Sequence, residues 1–321
     1  MKLSNLKLLG ILGLLVGVYA LFEIFGGNNR SENFRKELVK YENDKVDKMI
    51  IQKSGKSIEL RKSGTSWMLK TETGKEVEPI SSKIDNALAM LKEAKPSRIV
   101  AKKQEKWKDY EVDDSTGVRV QLFAESEKVV DIILGKFTPV QRAGTFAFSS
   151  FVRLADETEV YNCEDFMASS FPSKSADFRD INVLKFNRDS LVELSLIFPA
   201  DSSFVLLKKD DKWTIDGQEV DNEKVTAFIN DINYTTSPDF EDEFQPNALG
   251  KETFTLVAKE KGGNSFTVMA FSHPDKKWLL TSSLNPKVVF SDAQSSLIDK
   301  MFKKGKNHFL DTKEETKKKG K

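Results

Sequence analysis

The chain has 321 residues, with 50 Lys plus Arg against 49 Asp plus Glu, one cysteine and two histidines. So even a charge balance argues against nucleic acid as a partner, because phosphate binding needs a clustered basic excess. The single cysteine, Cys163, rules out an intramolecular disulfide, so a domain of this size must rest on its hydrophobic core.

The first element is an apolar run from Leu8 to Phe25, LLGILGLLVGVYALFEIF, interrupted only by Glu23. As a helix it rises roughly 27 Å, close to the hydrocarbon thickness of a bilayer. Lys2 and Lys7 precede it as in an export signal, which sets the amino terminus inside and exports the remainder. Arg30, Arg35, Lys36 and Lys40 come after the run and by count alone favour the opposite orientation, but long domains translocate largely regardless of charge. Val18-Tyr19-Ala20 offers a signal peptidase small residues, yet Leu21, Phe22, Ile24 and Phe25 prolong the apolar run, which fits an uncleaved signal anchor over residues 1–27. No cysteine is present there to carry a lipid. Gly13 and Gly17 form a small-xxx-small pair of the kind found in many spanning helices.

Residues 28–44 are polar, and the spacing of Phe34, Leu38 and Tyr41 predicts a short juxtamembrane helix. A pattern then occurs twice. Val46 to Lys53, Lys56 to Lys62 and Ser66 to Lys70 read as strands, and so do Leu191 to Phe198, Ser203 to Lys209 and Lys212 to Ile215. Leu60 and Trp67 of the first set match Leu206 and Trp213 of the second, each pair 146 residues apart. A helix comes next in each copy, with one apolar face at Ile80, Ile84, Leu88 and Leu91, then at Val225, Phe228, Ile229 and Ile232, where Asp221 is the expected cap.

More strands come after the helix. Val118, Val120 and Leu122 alternate and Val129 to Leu134 run on; Phe254 with Leu256, and Phe266, Val268 and Ala270, correspond. Phe151 to Leu154 with Val160-Tyr161 then match Trp278 to Thr281 with Val288 to Phe290. Each copy is expected to close on a capped helix, from Asn162 in the first and from Ser291 with Gln294 in the second. Ile215-Asp216-Gly217-Gln218 predicts a tight hairpin. The expected architecture is α+β: a transmembrane helix, then two repeated modules over residues 45–172 and 173–310, each a largely antiparallel sheet with covering helices. A lysine-rich tail occupies 311–321.

No catalytic constellation emerges. Gly55-Lys56-Ser57 superficially resembles a phosphate-binding loop, but Ile50 stands where the first glycine is required and the tripeptide joins two strands, so it reads as a turn. His273 and His308 are not placed for a triad, and one cysteine with two separated histidines gives no metal cluster. Asp239, Glu241, Asp242 and Glu243 lack the alternation and glycine of a calcium loop and read as a solvated linker. Cys163 would have a lowered pKa if exposed at a helix start; as a small buried side chain it would be inert. Trp67, Trp213 and Trp278 lie in strand patterns and read as core. Trp107 is the exception. With Tyr110, Asp113 and Asp114 it forms the candidate partner or ligand surface, although a loop folded back on its own domain is the plainer reading. No metal and no cofactor is expected.

Several stretches together resemble the domain of unknown function 4340 family: Phe34-Arg35-Lys36-Glu37-Leu38, Trp67, Lys106-Trp107, Tyr110-Glu111-Val112-Asp113-Asp114-Ser115 with Gly117, Leu134-Gly135-Lys136-Phe137, Phe151-Val152-Arg153, Val160-Tyr161 and Phe178-Arg179-Asp180. The resemblance implies a bacterial envelope protein, akin to or neighbouring auxiliary components of gliding-motility-type ABC transport systems, and transfers no active site. The expectation is a non-enzymatic, single-pass protein of the bacterial inner membrane with its C-terminal domain outside the cytoplasm. It would serve as an accessory or scaffold component of a transport or export system, with the membrane and other envelope or ABC-transport proteins as partners. The alternative is an extracytoplasmic ligand-binding module for a glycan or lipid, with its cleft between the two copies.

Overall fold

The structure, a computed structural model, describes residues 35–142 and 145–310 together with Leu12 and Gly17. Apart from those two residues, the expected anchor from Leu8 to Phe25 lies outside the described residues, as does the lysine-rich tail. Among the described residues no helix is long and apolar enough to cross a membrane. Ser63–Lys83 groups with the C-terminal half: the chain divides into two compact units, Met1–Lys62 with Ile84–Ser173, and Ser63–Lys83 with Lys174–Lys321.

Alternation of apolar and polar residues builds the first sheet. In β1 (Lys48–Lys53) Met49 and Ile51 are buried, and in β2 (Lys56–Ser63) Ile58 and Leu60. The turn between them has positive φ at Ser54 and Gly55, the conformation of a two-residue hairpin, so the expected hairpin is present, with Ser54-Gly55 as its turn and Lys56 and Ser57 opening β2. β3 (Ser66–Lys70), β4 (Glu76–Val77), β5 (Arg98–Ala101), β6 (Val118–Ala124), β7 (Glu127–Arg142), β8 (Thr145–Leu154) and β9 (Val160–Glu164) complete an antiparallel sheet ordered β4-β3-β2-β1-β6-β7-β8-β9-β5. Helix α1 (Ser81–Lys92) buries Ile84, Ala87, Leu88 and Leu91.

The second large sheet contains β11 (Leu191–Ile197), β12 (Phe204–Lys209), β13 (Lys212–Ile215), β14 (Gln218–Glu219), β16 (Phe254–Glu260), β17 (Ser265–His273), β18 (Lys277–Ser282) and β19 (Asn285–Ser291), ordered β14-β13-β12-β11-β16-β17-β18-β19. A small ladder pairs β10 (Asn182–Lys185) with β15 (Tyr234–Thr236). Leu194, Leu206, Leu256, Val268 and Phe290 project from one face of the large sheet into a core closed by Val225, Phe228, Ile229 and Ile232 of α2 (Asn222–Ile232). The Asp221 side chain caps α2, accepting bonds from the Glu223 and Lys224 amides at 3.0 and 3.2 Å. Asp216 and Gly217 both have positive φ and form the expected hairpin. The class is thus α+β, with two large antiparallel sheets and few helices.

Three expected helices are corrected. Asn162 does not open one: it lies in β9, opposite Arg98 and Phe151, and Val160 to Cys163 are all buried. A strand buried on both faces shows no alternation, so periodicity does not reveal it. Ser291 ends β19, and the closing helices are α3 (Leu297–Phe302) and α4 (Lys306–Phe309). Asp292, not Ser291, meets the start of α3, accepting from the Ile298 amide at 3.3 Å. Residues 35–44, the described part of the expected juxtamembrane helix, hold bends and a turn instead. Leu38 is buried there and the Tyr41 hydroxyl donates to the Leu88 carbonyl, so tertiary contacts decide the segment's course.

Candidate functional site

The four residues singled out from sequence lie on one loop of the first unit. After β5 a tight turn of helix spans Gln104–Tyr110 and ends at Glu111 in the left-handed conformation, which aims Val112 back at the sheet. Val112 packs with Ile133 and Val160, flanked by Trp107, Tyr110 and Phe151. Tyr110 and Phe151 have ring centroids 4.6 Å apart. Two glycines permit the close approach. A Cβ on Gly117 would come within 2.4 Å of Ile133 Cγ2, and one on Gly135 within 2.3 Å of the Tyr110 carbonyl oxygen.

Arg153 fastens this loop. Only 2% exposed, its guanidinium lies 3.5 Å from the Trp107 ring centroid. It donates to the carbonyls of Val112, Leu154, Ala155 and Glu157 at 3.2 to 3.3 Å, and the nearest carboxylate, on exposed Asp114, is 3.9 Å away. Burial pushes the Arg153 pKa down from its ordinary value. Trp107 Nε1 donates to the Thr158 carbonyl at 3.0 Å, so both the ring face and the N–H of this indole are used internally. Asp113 accepts from the Ser115 hydroxyl and the Thr116 hydroxyl, which hold its carboxyl at a pKa of about 2. Tyr110 and Asp113 therefore shape the loop; Asp114 alone of the four is classed as exposed.

Nearby, Asp131 receives Arg119 through Nε and Nη2 at 2.8 Å, Lys128 at 2.6 Å and Gln121 at 3.0 Å. Burial works to raise its pKa, but these donors outweigh it and hold the carboxyl at about 2.

A second feature, which no sequence pattern announces, lies within the second unit. A cleft of about 630 Å³ is bounded by residues 75–80, 179–180, 240–242, 244–245 and 285–289, together with Met68. Its floor holds Arg179, 5% exposed, bidentate to Asp242 at 2.7 and 2.8 Å and 3.5 Å from the Phe240 ring centroid. Lys83 Nζ donates to the Arg179 carbonyl at 2.7 Å, and the Ile80 amide to Phe178 O at 2.7 Å. The acidic run read as a solvated linker is thus partly structural. Glu241 pairs with Lys276 at 3.1 Å and Asp239 accepts from the Ser295 hydroxyl at 2.7 Å. An Arg–Asp pair 63 residues apart leaves no periodic signal in one sequence.

Among the described residues no group of three or more His, Cys, Asp or Glu side chains could hold a metal ion. Cys163 is fully buried in β9 rather than at a helix start, and burial pushes its thiol up to about 12, the reverse of a reactive thiolate. His273 Nδ1 accepts from the amides of Asp275 and Lys276, which places it in a turn.

The described chain is thus an α+β protein in which a loop is locked by a buried arginine onto one sheet. Residues 81–253, more than half its length, match the family described as Domain of unknown function (DUF4340), and the chain belongs to that family. No curated protein and no solved structure matches it. The motifs from Trp107 to Tyr161 that carry the resemblance converge on the Arg153 loop, while Phe178-Arg179-Asp180 borders the cleft.

Proposed function

We propose that this chain is a single-pass protein of the bacterial inner membrane whose exported domain holds another envelope component, as an accessory or scaffold subunit of a transport or export system. The observation that carries the proposal is the apolar run from Leu8 to Phe25 ahead of a large, charge-balanced, sheet-rich domain. Such a run is long enough to span a bilayer, and its basic amino-terminal flank favours export of the domain behind it. The family resemblance supplies the envelope setting. The domain acts by presenting surfaces and not by chemistry.

The two sheets are read as copies of one module. This rests on matched strand orders, β4-β3-β2-β1-β6-β7-β8-β9 beside β14-β13-β12-β11-β16-β17-β18-β19, with a helix after the fourth strand of each set. The equivalent residues Leu60 and Leu206 are both fully buried, and Trp67 and Trp213 nearly so.

Affinity purification of the detergent-extracted full chain, after crosslinking in intact cells, tests the role. Reproducible recovery of a transporter or envelope subunit is expected. Its repeated absence would contradict the proposal.

A further inference from the structure

In the second sheet, alternation sends Leu206, Leu194, Leu256 and Val268 into the core and leaves the residues between them on the opposite face. The ladder there sets Val205 beside Ser195 and Ser195 beside Val257. It also sets Ile197 beside Thr255 and Thr255 beside Met269, with Leu207 across from Glu193. Val205, Leu207, Ile197, Val257 and Met269 thus form one patch over β12, β11, β16 and β17. Of the seven large apolar side chains exposed among the described residues, three stand in it: Ile197 at 48%, Leu207 at 47% and Met269 at 36%. Scattered exposed apolar residues are ordinary, whereas a contiguous patch marks an interaction surface. Toward β19 the chain covers this same face itself, where Phe244 and Leu249 pack on Phe271, Leu279 and Val289. Within the patch Lys259 bonds to Glu193 at 2.8 Å, and Ser195 Oγ donates to Glu193 at 3.0 Å. Lys209 and Lys212 stand at the rim, the latter held by Glu219 at 2.7 Å. The outer face of the first sheet differs. Glu59, Arg61, Arg119, Gln121 and Asp131 stand on it, and Lys48 covers the Phe123 ring at 4.0 Å.

We infer that this face of the second sheet seats the same face of a second copy of the chain, in a two-fold dimer whose sheets stack. Because Glu193 and Lys259 satisfy each other, the patch offers no free charge to a charged partner and calls for an apolar surface of equal breadth. A second copy presents that surface by symmetry. The lysine-rich tail, residues 311–321, has the wrong chemistry to cover it. Size agrees with a dimer. Five strands from β13 to β17 at about 4.8 Å spacing, and some six residues along each at about 3.4 Å, give ~500 Å² on each copy. A pair therefore buries about 1,000 Å², the lower bound of a specific interface. Two copies held in one membrane by the proposed anchor meet at raised effective concentration, so an interface at that bound suffices. The inference goes beyond the proposed role and rests on it only for that shared membrane.

Val257→Cys sets a thiol at the centre of the patch, while the native Cys163 is buried. In isolated membranes carrying the full chain, a bismaleimide of about 10 Å reach, matched to the spacing of stacked sheets, is expected to give a covalent dimer from Val257→Cys. None is expected from the unaltered chain or from Glu59→Cys on the outer face of the first sheet. Leu207→Lys with Met269→Lys, added to Val257→Cys, would place two charges of each copy in the interface, and the dimer yield is expected to fall at least ~tenfold. Leu207→Thr with Met269→Thr suits a strand and adds no charge; it is expected to lower the yield as well, with the circular dichroism of the purified chain unchanged. No dimer from Val257→Cys, an equal dimer from Glu59→Cys, or a yield unmoved by both pairs of substitutions would overturn the inference. A crosslink from Val257→Cys to a different protein would also overturn it, giving the face to that partner and leaving the envelope role standing.

Discussion

At the level of single residues, the positions that carry the family pattern are explained by how one loop closes on a sheet. Gly135→Ala would drive a Cβ into the Tyr110 carbonyl and the Val112 side chain, and a cost of about 2–3 kcal/mol is expected in urea unfolding of the full chain. Arg153→Met would leave four carbonyls without their donor and free the Trp107 face; a loss of about 3 kcal/mol is expected. Arg153→Lys should rescue little of it, because an ammonium lacks the planar fork that reaches several acceptors at once. Asp131 predicts a pH dependence. Its folded pKa of about 2 lies below an unfolded value near 3.9, so its stabilisation is complete above pH ~4 and is lost as pH falls towards about 2. Discounted for screening at the half-exposed Lys128 and Arg119, it amounts to roughly 1 kcal/mol, and Asp131→Asn should flatten acid unfolding over that window. Trp107, Tyr110, Asp113 and Asp114, the surface expected from the sequence, lie on one loop. What the sequence could not show was that Arg153, 46 positions from Trp107, occupies the indole face.

At the level of elements, legibility tracked periodicity. Strands with one wet face, such as β2 and β13, and helices with one apolar stripe, such as α2, fall where alternation and 3.6-residue spacing put them. The failures share a cause. β9 is buried on both faces and so carries no alternation, while residues 35–44 have helical spacing but are drawn into contacts with α1. Capping chemistry was read correctly where the cap is adjacent: Asp221→Ala is expected to cost about 1 kcal/mol, measured by thermal unfolding, because it strands two amides at the start of α2. At α3 the cap comes from Asp292, well before the helix begins, and adjacency misled.

At the level of the whole molecule, every proposed role depends on which side of a membrane the domain occupies. Leu8 to Phe25 reads as an anchor from length and hydropathy alone, and the proposed orientation rests on a short basic flank weighed against basic residues downstream. The cleft belongs to a different order of information, because its walls come from segments more than 200 residues apart. The most direct test fuses reporters active only outside or only inside the cytoplasm after Lys321, with a blot for cleavage near Ala20. An outside signal on a full-length, membrane-retained chain is predicted; an inside signal would contradict the envelope role and leave an adaptor on the cytoplasmic face of the membrane.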